Sequence, residues 1–432
     1  MSSTASIPLH RPALSATRLV GALRTEAGLA RLAISGIALH VVDDNFLQPP
    51  PGTGPGDHLV SGLVPLALLA LVAWAYPRLR GGRRGALALL VGFLGLSTGV
   101  EALHYANNGA LGGDDYTGLL TIPSSLGLLA LGAVTLWRTR RNDGSRVWRY
   151  SRRVLLGVAG GLIALVLTFP IAFGYVTTHT ARAFVPANEL GVPYEDVTFT
   201  TSDGLELRGW YIPSRNGAAV ISFPGRKGPQ RPARMLAEHG YGVLLFDRRG
   251  EGVSDGDPHA FGWGGERDVK AAVAYLQQRP DVDPARIGGI GLSVGGEMML
   301  DATADTPGLK AVVSEGAGAR SVTEELDWDH IKGLEKVVNG ISGAIKTGSH
   351  VILSNQLPPE HLADLVARSS TPMLMIAAPN SGHGEGLNRM YAEAAGDNAT
   401  LWEIPESGHV GGMDSRPEEY ERRVVGFFDR EL

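Results

Sequence analysis

The chain has 432 residues, of which 44% are hydrophobic and 19% charged, with a formal net charge of -5. That length allows two or three domains. No cysteine is present, which excludes disulfides, thiolate zinc sites and a cysteine nucleophile, and no long basic patch suits the chain to nucleic acid.

Residues 1–28 form a polar, basic segment carrying Arg11, Arg18 and Arg24. Five apolar stretches follow, over Leu29–Phe46, His58–Tyr76, Ala86–Leu103, Leu119–Trp137 and Val154–Tyr175. Each approaches the roughly 20 residues that a helix needs to cross the hydrocarbon core of a bilayer. A signal peptide supplies one such stretch, not a series. A buried core helix explains one stretch, but not five in succession with short polar connections. The series predicts a membrane domain of about five transmembrane helices over residues 29–176.

Arginines fall in alternate connections. Arg78, Arg80, Arg83 and Arg84 lie between the second and third stretches, and Arg138, Arg140, Arg141, Arg146, Arg149, Arg152 and Arg153 between the fourth and fifth. The intervening connections hold Asp57, Asp114 and Asp115 and no lysine or arginine. The excess of positive charge on cytoplasmic loops places the N-terminus inside. Five crossings then put everything after Tyr175 outside.

Ionisable residues recur near the predicted outer ends of these helices. His40 and Asp44 are spaced to share a face, as are Glu101 and His104. His58, Asp114 and Asp115 lie at the same predicted depth. Such groups could bind a metal ion or a lipid headgroup. The alternative is an interfacial hydrogen-bond network that ties the helices together.

Residues 177–194 read as a linker. Val197–Thr201 and Leu205–Ile212 alternate around Ser202-Asp203-Gly204, which predicts a β-hairpin. Ala219–Phe223 and Gly242–Phe246 read as short buried strands, each followed by a helical stretch. Residues 195–432 therefore predict a mostly parallel sheet with helices on both faces.

Within this domain Gly291-Leu292-Ser293-Val294-Gly295 stands between an apolar strand and a helical stretch opening at Glu297. Strand, Gly-x-Ser-x-Gly, helix is the nucleophile elbow, in which a tight strained turn lifts the serine hydroxyl clear of the sheet. A serine hydroxyl needs a base and an oxyanion site. His409, in the loop after the strand Thr400–Pro405, is the candidate base, and His383 is an alternative. The acid that orients the base is expected in the loop after Met373–Ala378, where Glu385 is the sole carboxylate; Glu315, after Ala311–Ser314, is the reserve. The backbone N–H of Val294 and that of Arg226, in the loop after Phe223, are the candidate oxyanion donors. The side chains of Arg226 and Lys227 either bias the site toward anionic substrates or form a solvated basic loop.

These residues, in this order, resemble the α/β-hydrolase fold across about residues 195–432. The resemblance includes Asp247-Arg248-Arg249-Gly250-Glu251-Gly252-Val253-Ser254, similar to that family's D-x-R-G-x-G-x-S turn. The hairpin and the elbow resemble the dienelactone-hydrolase and prolyl-oligopeptidase-like branch. Two departures stand out: Pro224-Gly225 occupies the place of His-Gly, and Glu385 that of an aspartate. The resemblance implies that the insertion at about 321–370, with Trp328, Ile331, Leu334, Val337, Val338 and Ile341 at helical spacing, caps the active site.

The reading at this point is a membrane-anchored serine hydrolase with a Ser293–His409–Glu385 triad and an acyl-enzyme intermediate. It needs no cofactor and no metal, and it acts on a small-molecule or lipid-like ester, thioester or amide at the bilayer. An acyltransferase or peptidase on the same triad remains open, as does a transport or sensory module with a hydrolase-like ligand-binding domain. A third possibility makes the helices a plain anchor. Oligomeric state is left open.

Overall fold

The computed structural model describes residues 25–140, 144–183, 190–259, 261–327, 332–381 and 384–432. The expectations at Arg11, Arg18, Arg24, Arg141, Trp328, Ile331 and His383 fall outside these.

Each of the five apolar stretches is helical. Helix α1 spans Glu26–Val42 and ends in a π-helical turn over Asp43–Leu47; α2 is Leu59–Ala75. The third stretch is split into α3 (Gly81–Ser97) and α4 (Val100–Asn107), bent by 40° at the break. Helix α5 is Asp115–Thr139 and α6 is Arg146–Thr178. By length and composition three of these helices can cross a membrane, those over Leu59–Arg78, Asp115–Thr139 and Arg146–Thr178, and a fourth crossing arises if α3 and α4 count as one span. The 17-residue α1 falls short of that length among the described residues.

Small residues set the packing of this bundle. A Cβ added to Gly85 would lie 3.0 Å from the Gly132 carbonyl oxygen, and one added to Gly92 would lie 2.9 Å from that of Ser125. The backbones of α3 and α5 therefore approach closely, with glycine at the points of contact.

The second half is an eight-stranded sheet in the order β1-β2-β4-β3-β5-β6-β7-β8. Strands β1 (Glu195–Thr200) and β2 (Glu206–Ile212) form the hairpin, and β2 runs antiparallel to β4 (Gly242–Phe246). The remaining pairs are parallel, through β3 (Ala219–Ser222), β5 (Ile287–Leu292), β6 (Ala311–Glu315), β7 (Met373–Ala377) and β8 (Ala399–Glu403). Strands β3 to β7 are buried throughout. That agrees with their near-continuous apolar sequences, since a parallel sheet is covered on both faces.

Helices α7 (Arg231–Glu238), α8 (Gly265–Leu276) and α9 (Val294–Ala302) connect these strands. The insertion after β6 holds α10 (Val322–Leu326), α11 (Gly333–Ser354) and α12 (Leu362–Ala367); α13 (Leu387–Ala395), the short α14 (Gly412–Ser415) and α15 (Pro417–Glu431) complete the chain. Two separate apolar layers flank the sheet. One contains Phe246, Val269, Met298 and Met375, and the other Trp210, Leu236, Trp402 and Phe428. This is the α/β-hydrolase architecture, preceded by a helical region.

Candidate active site

Strand β5 delivers Ser293 to the start of α9. Its backbone sits at φ 53°, ψ -123°, a conformation that costs a non-glycine residue about 1–3 kcal/mol. The flanking glycines make the turn sterically possible. A Cβ on Gly291 would lie 2.1 Å from the Gly295 carbonyl oxygen, and one on Gly295 would lie 2.5 Å from the Phe223 Cβ. No side chain fits at either position.

The loop after β8 carries His409, whose Nε2 lies 2.9 Å from Ser293 Oγ. Its Nδ1 lies 2.7 Å from Glu385 Oε1, from the loop after β7. Glu385 is 1% exposed. Its Oε2 accepts the backbone N–H of Ala378 at 2.6 Å, and its Oε1 also accepts the Ser381 hydroxyl at 3.1 Å. Burial raises the pKa of such a carboxyl, but these hydrogen bonds, the His409 one first, outweigh it and hold the pKa below its ordinary value. In return the hydrogen bond to Glu385 lifts the His409 pKa above its ordinary value, against desolvation.

The reserve acid has another task. Glu315 is buried and accepts the Gly412 N–H at 2.8 Å and the Tyr420 hydroxyl at 2.8 Å. It holds α14 and α15 against the end of β6, and burial raises its pKa. The geometry joins Glu385, not Glu315, to His409.

On the oxyanion side, Val294 opens α9, and Arg226 lies in the 3-10 turn Gly225–Lys227 after β3. Gly225 adopts φ 70°, and a Cβ there would lie 1.9 Å from the Phe246 carbonyl oxygen. The Arg226 guanidinium turns away from solvent and pairs with the buried Asp247 at 2.5 Å. Lys227 pairs with Glu251 at 2.6 Å. Arg226 is therefore not part of a solvated basic loop, while Lys227 stays part exposed and shares Glu251 with Arg248 on the turn after β4. That turn is itself fixed to α8: Arg249 Nε and the Arg249 N–H donate to Asp268 at 2.9 and 3.0 Å.

The polar residues of the helical region gather in a separate cavity of about 270 Å³ at the junction with the hydrolase domain. Asp44, His58, Glu101, Asp114, Asp115, His179, Arg182 and Asp257 line it. His179 lies 3.5 Å from Asp44, and His58 lies 3.9 Å from Asp257. His40 sits beside this group, with Nδ1 3.3 Å from Thr117 Oγ1. His104 does not belong to it. It is exposed, and Tyr105 lines the cavity with Glu101 instead, so the i, i+4 position of α4 faces inward and the i, i+3 position does not. Among the described residues no three histidine or acidic side chains are placed to hold a metal ion.

Sequence reasoning did not anticipate His179, Arg182 or Asp257. Arg182 donates to the carbonyl oxygens of Ser254 and, at 2.6 Å, Gly256, and the Gly256 N–H donates to the Pro51 carbonyl at 2.8 Å. The helical region thereby grips the same turn that pairs with Arg226 and Lys227.

Comparison with known proteins assigns the chain to a family. The X-Pro dipeptidyl-peptidase (S15 family) profile matches residues 178–402, more than half of the chain. The chain belongs to the S15 family. It is a serine hydrolase of ester or peptide bonds. Curated relatives of this S15 member include the uncharacterized protein YfhR of Salmonella typhi, 26% identical over 235 residues, which are 51% of this chain and 76% of that one. The polyketide transferase grgF of Penicillium is 38% identical over 128 residues, 26% of this chain and 41% of that one. Among solved structures, the Pyrococcus furiosus esterase Pf2001 is 24% identical, with a TM-score of 0.47 over 58% of this chain and 97% of that one.

Proposed function

We propose that this S15-family chain is a membrane-anchored esterase-type serine hydrolase that works through Ser293, His409 and Glu385. The observation that carries the reading is the position of His409, within hydrogen-bond distance of the Ser293 hydroxyl on one side and of the buried Glu385 on the other.

Ser293 Oγ attacks the substrate carbonyl carbon while His409 Nε2 takes its proton. The N–H groups of Val294 and Arg226 stabilise the oxyanion that forms. Collapse breaks the bond to the leaving group, which receives the proton from His409. Water, deprotonated by the same nitrogen, then releases the acid and restores Ser293. Glu385 holds the imidazole tautomer and stabilises its cation. The proposed steps use no cofactor.

The arginine-rich connections between α2 and α3 and between α5 and α6 support a hydrolase domain on the outer side of the membrane; a cytoplasmic N-terminus requires in addition that α1, extended by its π-helical turn, crosses. The stretch similar to the polyketide transferase favours one second reading, in which an alcohol rather than water takes the acyl group.

Labelling of the full-length protein by a fluorophosphonate, which traps activated serines, tests the proposal. Labelling of wild type and none of Ser293→Ala is expected; an unlabelled, folded wild type would overturn it. Product analysis in mixed water and alcohol separates hydrolysis from transfer, and a panel of p-nitrophenyl esters and Xaa-Pro anilides separates ester from peptide cleavage.

A further inference from the structure

The insertion helix α11 is seated on the membrane-type helix α6. A Cβ on Gly174 of α6 would lie 2.8 Å from the Ser349 Cβ, so the two backbones meet there at close range. The Thr177 hydroxyl and His350 Nε2 are 2.8 Å apart. Leu353 shares the lining of the junction cavity with Thr178 and His179. Four residues forward on α11 thus correspond to about four forward on α6, and the helices run side by side in the same direction. Going back along α11 therefore leads in the direction of the apolar length of α6. The hydrolase domain holds α11 over its middle, where Val322 packs against Gly343 and Lys346 lies 3.8 Å from Glu325.

Before that grip, the first turns of α11 carry Leu334, Val337, Val338 and Ile341 at i, i+3, i+4 and i+7, one continuous helical face. All four are exposed, Leu334 by 78%. Lys336 falls on the opposite side of the helix, and Lys332 precedes its first turn. An uncovered apolar stripe on one side of a helix, with polar residues opposite, marks a contact surface, and the course of α11 beside the apolar length of α6 turns that stripe toward lipid. The same helix reaches the elbow from its other half. His350 is fully buried and meets the Phe261 ring edge-on at 4.7 Å, and a Cβ on the adjacent Gly262 would lie 3.0 Å from Val294 Cγ1.

We infer that the N-terminal half of α11 inserts its Leu334–Val337–Val338–Ile341 face into the lipid leaflet next to the hydrolase domain, so that Ser293 draws a long-chain acyl ester from that leaflet. The occupant of the face is the bilayer, because the helix that carries it is continuous with the packing on α6 and its stripe points along the same apolar zone. This inference rests on the proposed membrane-anchored hydrolase reading and adds the substrate class.

The chain lacks cysteine, so a single introduced thiol reports one position. Full-length Val338→Cys and, as a solvent-facing control, Asp397→Cys are labelled with an environment-sensitive fluorophore in phosphatidylcholine–phosphatidylglycerol vesicles containing doxyl lipids. Strong quenching at 338 and none at 397 is expected; equal, weak quenching at both overturns the insertion. In parallel, Leu334→Asp and Val338→Asp are assayed on p-nitrophenyl acetate in solution and on a palmitoyl ester dispersed in the vesicles. The expected result is a loss of tenfold or more in kcat/KM on the palmitoyl ester, with the acetate rate kept within twofold. Equal losses on both esters mean a structural role and overturn the substrate assignment. If wild type cleaves neither ester, the hydrolase reading fails, and the quenching result still decides the insertion.

Discussion

Replacing Glu385 by glutamine tests the triad through the geometry of one amide. The two carboxylate oxygens are not equivalent. Oε2 accepts the Ala378 N–H, a fixed backbone donor, while Oε1 faces His409 Nδ1 and the Ser381 hydroxyl. Ala378 can only donate, so the glutamine must turn its carbonyl oxygen toward it. The amide nitrogen then faces His409 and donates to Nδ1. That forces the imidazole proton onto Nε2, the atom that must accept the Ser293 proton. A wrong tautomer of this kind lowers kcat by about 10⁴ in a triad, or about 5 kcal/mol of transition-state stabilisation. The fold should survive, because the displaced Ser381 hydroxyl can accept from the amide as readily as it donated to the carboxylate. The assay is the rate of phosphonylation of the full-length protein by a fluorophosphonate, alongside thermal unfolding. A rate loss below tenfold in a folded Glu385→Gln protein would refute the assignment of Glu385 as the orienting acid.

Three further outcomes are expected. Because the hydrogen bond to Glu385 raises the His409 pKa, the neutral base prevails only above that raised value; kcat/KM should climb with pH along a limb centred above 6.5, its ordinary value, and a limb at or below that pH in a pH–rate profile would contradict the pairing. Asp247→Asn leaves the Arg226 guanidinium buried without its counter-charge, and losing one partner of a buried pair costs about 3–5 kcal/mol; a denaturant melt in detergent should show a loss of that order. Gly225→Ala places a Cβ 1.9 Å from the Phe246 carbonyl oxygen and must shift the loop that offers the Arg226 N–H; an oxyanion donor is worth about 10²–10³ in kcat, so the variant should lose that much with KM little changed.

The hydrolase fold was legible because its signals are local. Gly291, Ser293 and Gly295 encode a turn that few other residues could make, and the apolar runs of β3 to β7 announce a sheet covered on both faces. Glu385 and His409 were found by their places after successive strands, and the structure brings both to Ser293. The side-chain fate of Arg226 and Lys227 was not legible, since it depends on Asp247 and Glu251, which reach them only once β3 and β4 pair. The choice between Glu385 and Glu315 likewise turned on Tyr420 and Gly412, about a hundred residues beyond Glu315 in the chain. The i, i+3 pairing of Glu101 with His104 failed for a geometric reason: α4 follows a bend, and its inner face runs through Glu101 and Tyr105. The junction residues His179 and Arg182 left no periodic trace at all, because their partners come from other elements.

The contact of Pro51 and Arg182 with the turn at 254–256 has a practical corollary for exchanging parts between proteins. A foreign helix fused ahead of residue 177 would bring no counterpart to Pro51, and α11 would lose the surface of α6 on which it rests. Such a chimaera would be attached without being braced. The helices are less a leash than one half of a mortise joint, and grafting the catalytic half onto another scaffold means carving the matching recess as well.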